Sequence, residues 1–178
     1  MKTLSQNKAV VKLSVLRESF RRTIESGYET EAKNCITCEV QGSCCEDAHF
    51  VNVHISRLEA VAIHQVIGAM DPDFRARVID RNRKTLKSLR KGFSDTYSCP
   101  LFENGIGCLV HDVAKPLPCI NHACYENPSD LPPDRVLDEA EQEVNRLNDA
   151  VYKSAWNWMP IPEWIKRMTD QFANSRTV

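Results

Sequence analysis

Residues 56–72 read SRLEAVAIHQVIGAMDP, and the two helix starts inside them decide the fold class. Ser56 followed three positions later by Glu59 is a capping-box pattern: the hydroxyl accepts from the Glu59 amide while the carboxylate reaches back to the Ser56 amide. Val61, Ile63, Val66 and Ile67 then carry an apolar run to Gly68. Asp71 is placed to cap a further helix with Pro72 at its first position, where a fixed φ suits the helix and the missing N–H costs nothing. No breaker follows until Gly92, so this helix is expected to reach about Arg90.

Outward from this stretch the pattern stays helical. Upstream, Val10, Leu13, Leu16 or Arg17, Phe20 and Ile24 recur every three or four residues, which predicts an amphipathic helix over 8–26 ended by Gly27. Downstream, the turn-rich Asn127-Pro-Ser-Asp-Leu-Pro-Pro introduces a long helix from Asp134 to Trp156, and after the Pro160-Ile-Pro162 break another runs from Ile161 to Ala173. Strand signal is confined to the alternating Phe50–Ile55 and to Cys108–His111 after the Gly105-Ile-Gly107 turn. The expected fold is therefore mainly α, with helices wrapped around a loop-rich cysteine core and at most a few short strands. It is expected as a single domain over residues 1–178, with the core at about 35–126 and flanking helices at 8–26 and 134–173.

Composition narrows the function classes. A content of 42% hydrophobic and 26% charged residues suits a globular chain, and no apolar run approaches the roughly 20 residues of a membrane-spanning helix. The opening MKTLSQNKAVVKLSVL breaks its apolar positions with Lys, Ser, Gln and Asn and has no small-residue cleavage site, so a cytoplasmic location is expected. A net charge of -1 argues against nucleic acid as a partner.

Eight cysteines are the chemistry-bearing feature. In a reducing compartment clustered thiols serve metal binding or redox chemistry more often than disulfides. The first group reads Cys35-Ile-Thr-Cys38-Glu-Val-Gln-Gly-Ser-Cys44-Cys45. A C-x-x-C turn brings two sulfurs onto one ion and is half of a thiolate metal site, but the second such turn of a zinc ribbon is lacking. The second group runs from Cys99-Pro through Gly107-Cys108 and Pro118-Cys119 to Cys124, at wide and irregular spacings that leave the ligand pairing open. Both groups occupy segments without a periodic apolar face, outside the expected helices, so metal ligation rather than burial is expected to order them.

The order C-x-x-C, C-C, C-P, G-x-C, P-C over residues 35–124 resembles the YkgJ-type cysteine-cluster family, described as a zinc- or iron-chelating domain. The resemblance covers half of the chain and all eight cysteines. It departs in a five-residue gap before Cys44, in Lys115 where arginine commonly precedes the proline, and in Ile120 where arginine commonly follows the cysteine. The resemblance implies a metal-binding protein whose ligands are Cys35, Cys38, Cys44, Cys45, Cys99, Cys108, Cys119 and Cys124. Thiolate-only ligation suits an iron–sulfur cluster or zinc, and the missing second knuckle tips the reading narrowly to iron–sulfur. Two other readings stay open: an iron–sulfur redox enzyme or electron carrier, and a zinc-stabilised module for a protein partner.

Other residues carry less. His49, His54, His111 and His122 lie near the cysteines, but eight thiols already suffice and hydrogen bonding to a ligand is the simpler role. Arg81, Arg83, Lys84, Lys87, Arg90 and Lys91 read as a solvated basic face, with balancing of a thiolate centre as the functional alternative. Trp156, Trp158 and Trp164 read as packing residues, and Glu103, Asp112 and Glu126 as solvated loop acids. No catalytic motif frames any of them, so enzymatic activity stays undecided.

Overall fold

The computed structural model describes residues 4–29, 32–33, 42–46, 52–89, 96–122, 124–125, 127–153 and 158–174. Its elements are, in chain order, α1 (Gln6–Gly27), β1 (Ala32–Lys33), α2 (Ser43–Glu46), β2 (His54–Ile55), α3 (Arg57–Ala69), α4 (Pro72–Ser88), β3 (Phe102–Glu103), β4 (Gly107–Cys108), α5 (His111–Ala114), α6 (Leu117–Asn121), β5 (Cys124–Tyr125), α7 (Asp134–Tyr152), β6 (Met159–Pro160) and α8 (Ile161–Asn174). The protein is mainly α, as its periodicity predicts. The strands form three antiparallel two-residue pairs, β1 with β5, β2 with β6 and β3 with β4. No helix among the described residues is long and apolar enough to cross a membrane.

The chain folds into two compact units, each made from two separated stretches: residues 1–41 with 115–156, and 42–114 with 157–178. In the first, α1 buries Ala9, Leu13, Arg17, Phe20 and Ile24, one stripe at spacings of three and four. The stripe meets α6 and α7, which bury Leu117 and Ile120, and Val144 and Asn148. The Leu4 amide donates to the Ala150 carbonyl at 3.2 Å and the Tyr152 hydroxyl to Gln6 Oε1 at 3.0 Å, so the start of α1 lies beside the end of α7 and the two run antiparallel. The buried stripe passes through Ala9 rather than Val10, and through Arg17 rather than Leu16.

In the second unit α3 packs against α5 and α8, and α8 also packs against α4. The expected capping box is formed: Glu59 N donates to Ser56 Oγ at 3.0 Å and Ser56 N to Glu59 Oε2 at 2.8 Å, both buried. Asp71 caps α4 through its Oδ1, which accepts from Asp73 N at 2.9 Å, with Pro72 opening the helix. Opposite them α8 supplies Ile161, Trp164, Ile165 and Met168 to the core. Trp164 is a packing residue as read, and its Nε1 donates to the Ile55 carbonyl at 2.8 Å.

Four expectations change. The long helix α7 stops at Tyr152, because Lys153 takes a left-handed conformation (φ 51°) that no glycine, asparagine or proline in the sequence announces. Of the strand expected over Phe50–Ile55, only His54–Ile55 pairs among the described residues, while Phe50 and Val51 lie outside them. The strand expected over Cys108–His111 ends at Cys108: the chain turns at Leu109 and Val110, and His111 already begins α5. Nor are all cysteines outside helices, since Cys44 and Cys45 sit in the single turn of α2 and Cys119 in α6.

Candidate metal centre

The segment around Cys99 is held one polar group at a time. Irregular backbone cannot satisfy its own N–H and C=O groups, so each needs a partner from elsewhere. Tyr97 is buried, and its hydroxyl donates to the Val53 carbonyl at 2.7 Å while accepting from Ile161 N at 3.2 Å. Ser98 Oγ donates to the Glu46 carbonyl at 2.8 Å, and Cys99 N to the Cys45 carbonyl at 2.7 Å. These bonds lay the Cys99 segment alongside α2.

Helix α4 grips the same segment from a stripe at four-residue spacing. Thr85 Oγ1 donates to the Ser98 carbonyl at 3.1 Å. Arg81 Nε donates to the Pro100 carbonyl at 3.0 Å, and its Nη1 to Glu103 Oε2 at 3.2 Å. Arg77, lying over the Phe74 ring at 4.2 Å, donates from Nε to Glu103 Oε1 at 2.9 Å.

Apolar side chains complete the support: Leu101, Phe102, Val110 and Ala114 are buried along with Tyr97. Burial therefore supports the Cys99–Cys108 part of the second cysteine group, which its missing periodicity did not announce; the apolar residues are spread over turns, where no fixed repeat reveals them. β3 and β4 pair as a tight hairpin, Phe102 opposite Cys108, and Leu109 N donates to the Leu101 carbonyl at 2.9 Å. Gly42 holds the other side. Its φ of +88° favours glycine, and a Cβ there would overlap the Phe102 ring. The Gly42 carbonyl accepts from Cys45 N at 2.8 Å and Glu46 N at 3.0 Å, which sets the turn carrying Cys44 and Cys45.

The result joins one pair of cysteines from each sequence group. The Cys45 thiol is held above its ordinary range by a hydrogen bond with Cys44, then by burial, then by the charges of Cys99, Cys44 and Cys108. The Cys99 thiol is pushed up to about 12 by burial first; the backbone N–H groups of Leu101 and Phe102 and the charge of Arg81 pull it down, and Cys108 pushes it up. Thiols raised in this way, Cys45 and Cys99, stay protonated until a cation neutralises them, and a coordinating thiol is then deprotonated outright. Among the described residues, no three His, Cys, Asp or Glu side chains are drawn together into a group that could hold a metal ion. The four cysteines of this unit thus lie within electrostatic reach of one another without converging on one point.

The remaining cysteines belong to the other unit by sequence. Cys119 lies half-buried in α6 between the buried Leu117 and Ile120, and the backbone of Cys124 pairs with that of Lys33 in the β1–β5 ladder. Beside them, Asn121 Oδ1 and Tyr125 Oη are buried without a hydrogen-bond partner among the described residues. Cys35, Cys38, His49 and Glu126 fall outside the described residues. Cys44, Cys45, Cys99, Cys108 and Cys119 are in no disulfide. His111 and His122 are exposed and His54 is half-buried.

Sequence reading missed the roles of Glu103 and Arg81. Glu103 is no solvated loop acid, because its side chain is only 14% exposed between two guanidinium groups. Arg81 leaves the solvated face on which Arg83 and Lys84 do lie, both paired with Asp80. The available signal was Phe74, Arg77, Arg81 and Thr85 at spacings of three, four and four, one face of a helix. No family model, curated protein or solved structure matches this chain.

Proposed function

We propose that this chain is a metal-binding cysteine-cluster protein in which Cys44, Cys45, Cys99 and Cys108 hold one zinc ion or iron–sulfur cluster. Cys35, Cys38, Cys119 and Cys124 form the second thiolate set. The observation that carries the reading is the support given to Cys99. Two backbone N–H groups turn to its thiol, and Cys44, Cys99 and Cys108 all bear on the Cys45 thiol beside it. Such N–H donors favour a thiolate and tune a thiolate-bound centre. Each cysteine has a single side-chain torsion, so convergence on an ion requires staggered rotations on a backbone already held in position. The chain works in the reducing cytoplasm, where its thiols remain available to metal.

Elemental analysis of protein purified without oxygen tests this reading. Iron with acid-labile sulfide identifies a cluster, zinc in whole-number ratio identifies a structural ion, and protein that neither retains nor takes up either metal rejects the proposal. Structural thiolate sites contribute on the order of 10 kcal/mol of apparent binding free energy that is also folding free energy. Chelation, or Cys38→Ser with Cys45→Ser, should therefore lower Tm and make the cysteine segments protease-sensitive while leaving substantial helical signal. An unchanged Tm would make the metal a cargo or redox group rather than a structural one.

A further inference from the structure

The Arg81 guanidinium is anchored at two of its three nitrogens, Nε on the Pro100 carbonyl and Nη1 on Glu103. Its third, Nη2, is buried and has no hydrogen-bond partner among the described residues. A buried guanidinium N–H without an acceptor is costly, because the group gives up water and gains nothing in return. The two anchors nevertheless fix the plane of the fork, and one of them is the carbonyl of the residue directly after Cys99. The local charges are also uneven: Arg77 and Arg81 share the single carboxylate of Glu103, so one positive charge is left over.

We propose that Arg81 is the positioning residue of the Cys99 centre, its Nη2 donating to the Cys99 thiolate when metal is bound; this rests on the metal reading of the same four cysteines. Four thiolates around zinc, or around an iron–sulfur cubane in its usual resting state, leave two negative charges on the centre. The surplus positive charge of the Arg77–Arg81–Glu103 group offsets part of that burden. Glu103 and the Phe74-backed Arg77 set the angle of the fork. Lysine would keep the charge but could not hold Pro100, Glu103 and a sulfur at once, since its three donors radiate from one atom.

The test uses cobalt(II) as an optical probe in the full-length, reduced chain. In Arg81→Gln, cobalt affinity should fall about 10- to 100-fold. The sulfur-to-cobalt charge-transfer band should move to lower energy, because a thiolate relieved of its donor gives up electron density more easily. Arg81→Lys should recover most of the affinity and part of the band shift. Arg77→Gln, which cuts the same carboxylate without reaching Cys99, should lower Tm and leave the band in place. A band that stays put in Arg81→Gln, with Arg81→Lys no better than Arg81→Gln, would show that Arg81 only braces the loop and would overturn the inference. Wild-type protein that takes up no cobalt and no zinc overturns both this inference and the metal reading, whereas normal uptake with an indifferent Arg81 overturns this one alone.

Discussion

The two units are built on different physics. In the unit of α1, α6 and α7, the helices satisfy their own backbones, and what remains is to bury one apolar stripe, Ala9 to Ile24, against Leu117, Ile120 and Val144. In the unit of α3, α4 and α8, the segment 97–108 has almost no repeating structure. Its backbone is satisfied by the Arg81 and Thr85 side chains and by the distant Cys45 carbonyl, while its Tyr97 hydroxyl serves the backbones of Val53 and Ile161. The first arrangement tolerates small polar changes and fails when volume is lost. The second fails when a single polar contact or a close approach is lost, because no periodic neighbour stands ready to replace it.

That contrast can be broken by substitution, and the largest effect belongs to Gly42. Gly42→Ala imposes a side chain on a positive φ and drives it into the Phe102 ring, costs of about 1–2 and about 1–3 kcal/mol that add to about 2–5 kcal/mol. Urea titration measures the loss, and metal content should fall with it because α2 carries Cys44 and Cys45. Little change would mean that α2 is not held by the hairpin.

Leu13→Ala, at a residue with 0% exposure, should cost about 3 kcal/mol through the cavity it leaves. Native-state hydrogen exchange should show the loss first in α1 and α7. Faster exchange confined to α3 and α8 instead would refute the assignment of Leu13 to the α1–α7 core.

Tyr97→Phe removes one hydroxyl that serves two backbone groups and should cost about 1.5 kcal/mol, with Cys99 becoming more reactive to thiol reagents. Ser56→Ala, which opens the buried capping box of α3, should cost about 1 kcal/mol with no change at the cysteines. Were Ser56→Ala to disturb the cysteines as strongly as Tyr97→Phe, the claim that the loop depends on its own individual contacts would lose its basis.

The smallest effect is expected at His64 on α3, whose pKa burial holds below its ordinary 6.5. The unfolded chain takes up this proton first, so the stability contribution is full above that value and is lost as pH falls from 6.5 toward the lower folded value. His64→Gln should flatten the dependence of Tm on pH in that window. An unaltered slope would place the titration elsewhere.

What the amino-acid sequence determined by itself was set by near neighbours along the chain. The Ser56–Glu59 box, the Asp71–Pro72 start and the α1 stripe are set by residues one to four positions apart, within reach of one helical turn. The candidate ligands were legible only as residue types, eight cysteines in two groups along the chain. Tertiary structure alone decided which of them meet. Cys45 and Cys99 are 54 positions apart and are joined by a backbone hydrogen bond across irregular loops, where no repeat encodes the register. The same holds for Glu103, which reads as a solvated acid until the hairpin of β3 and β4 carries it between Arg77 and Arg81. A pairing across a loop is set by the summed burial and hydrogen bonding of every segment that folds around it, and that sum exists only once the chain has folded.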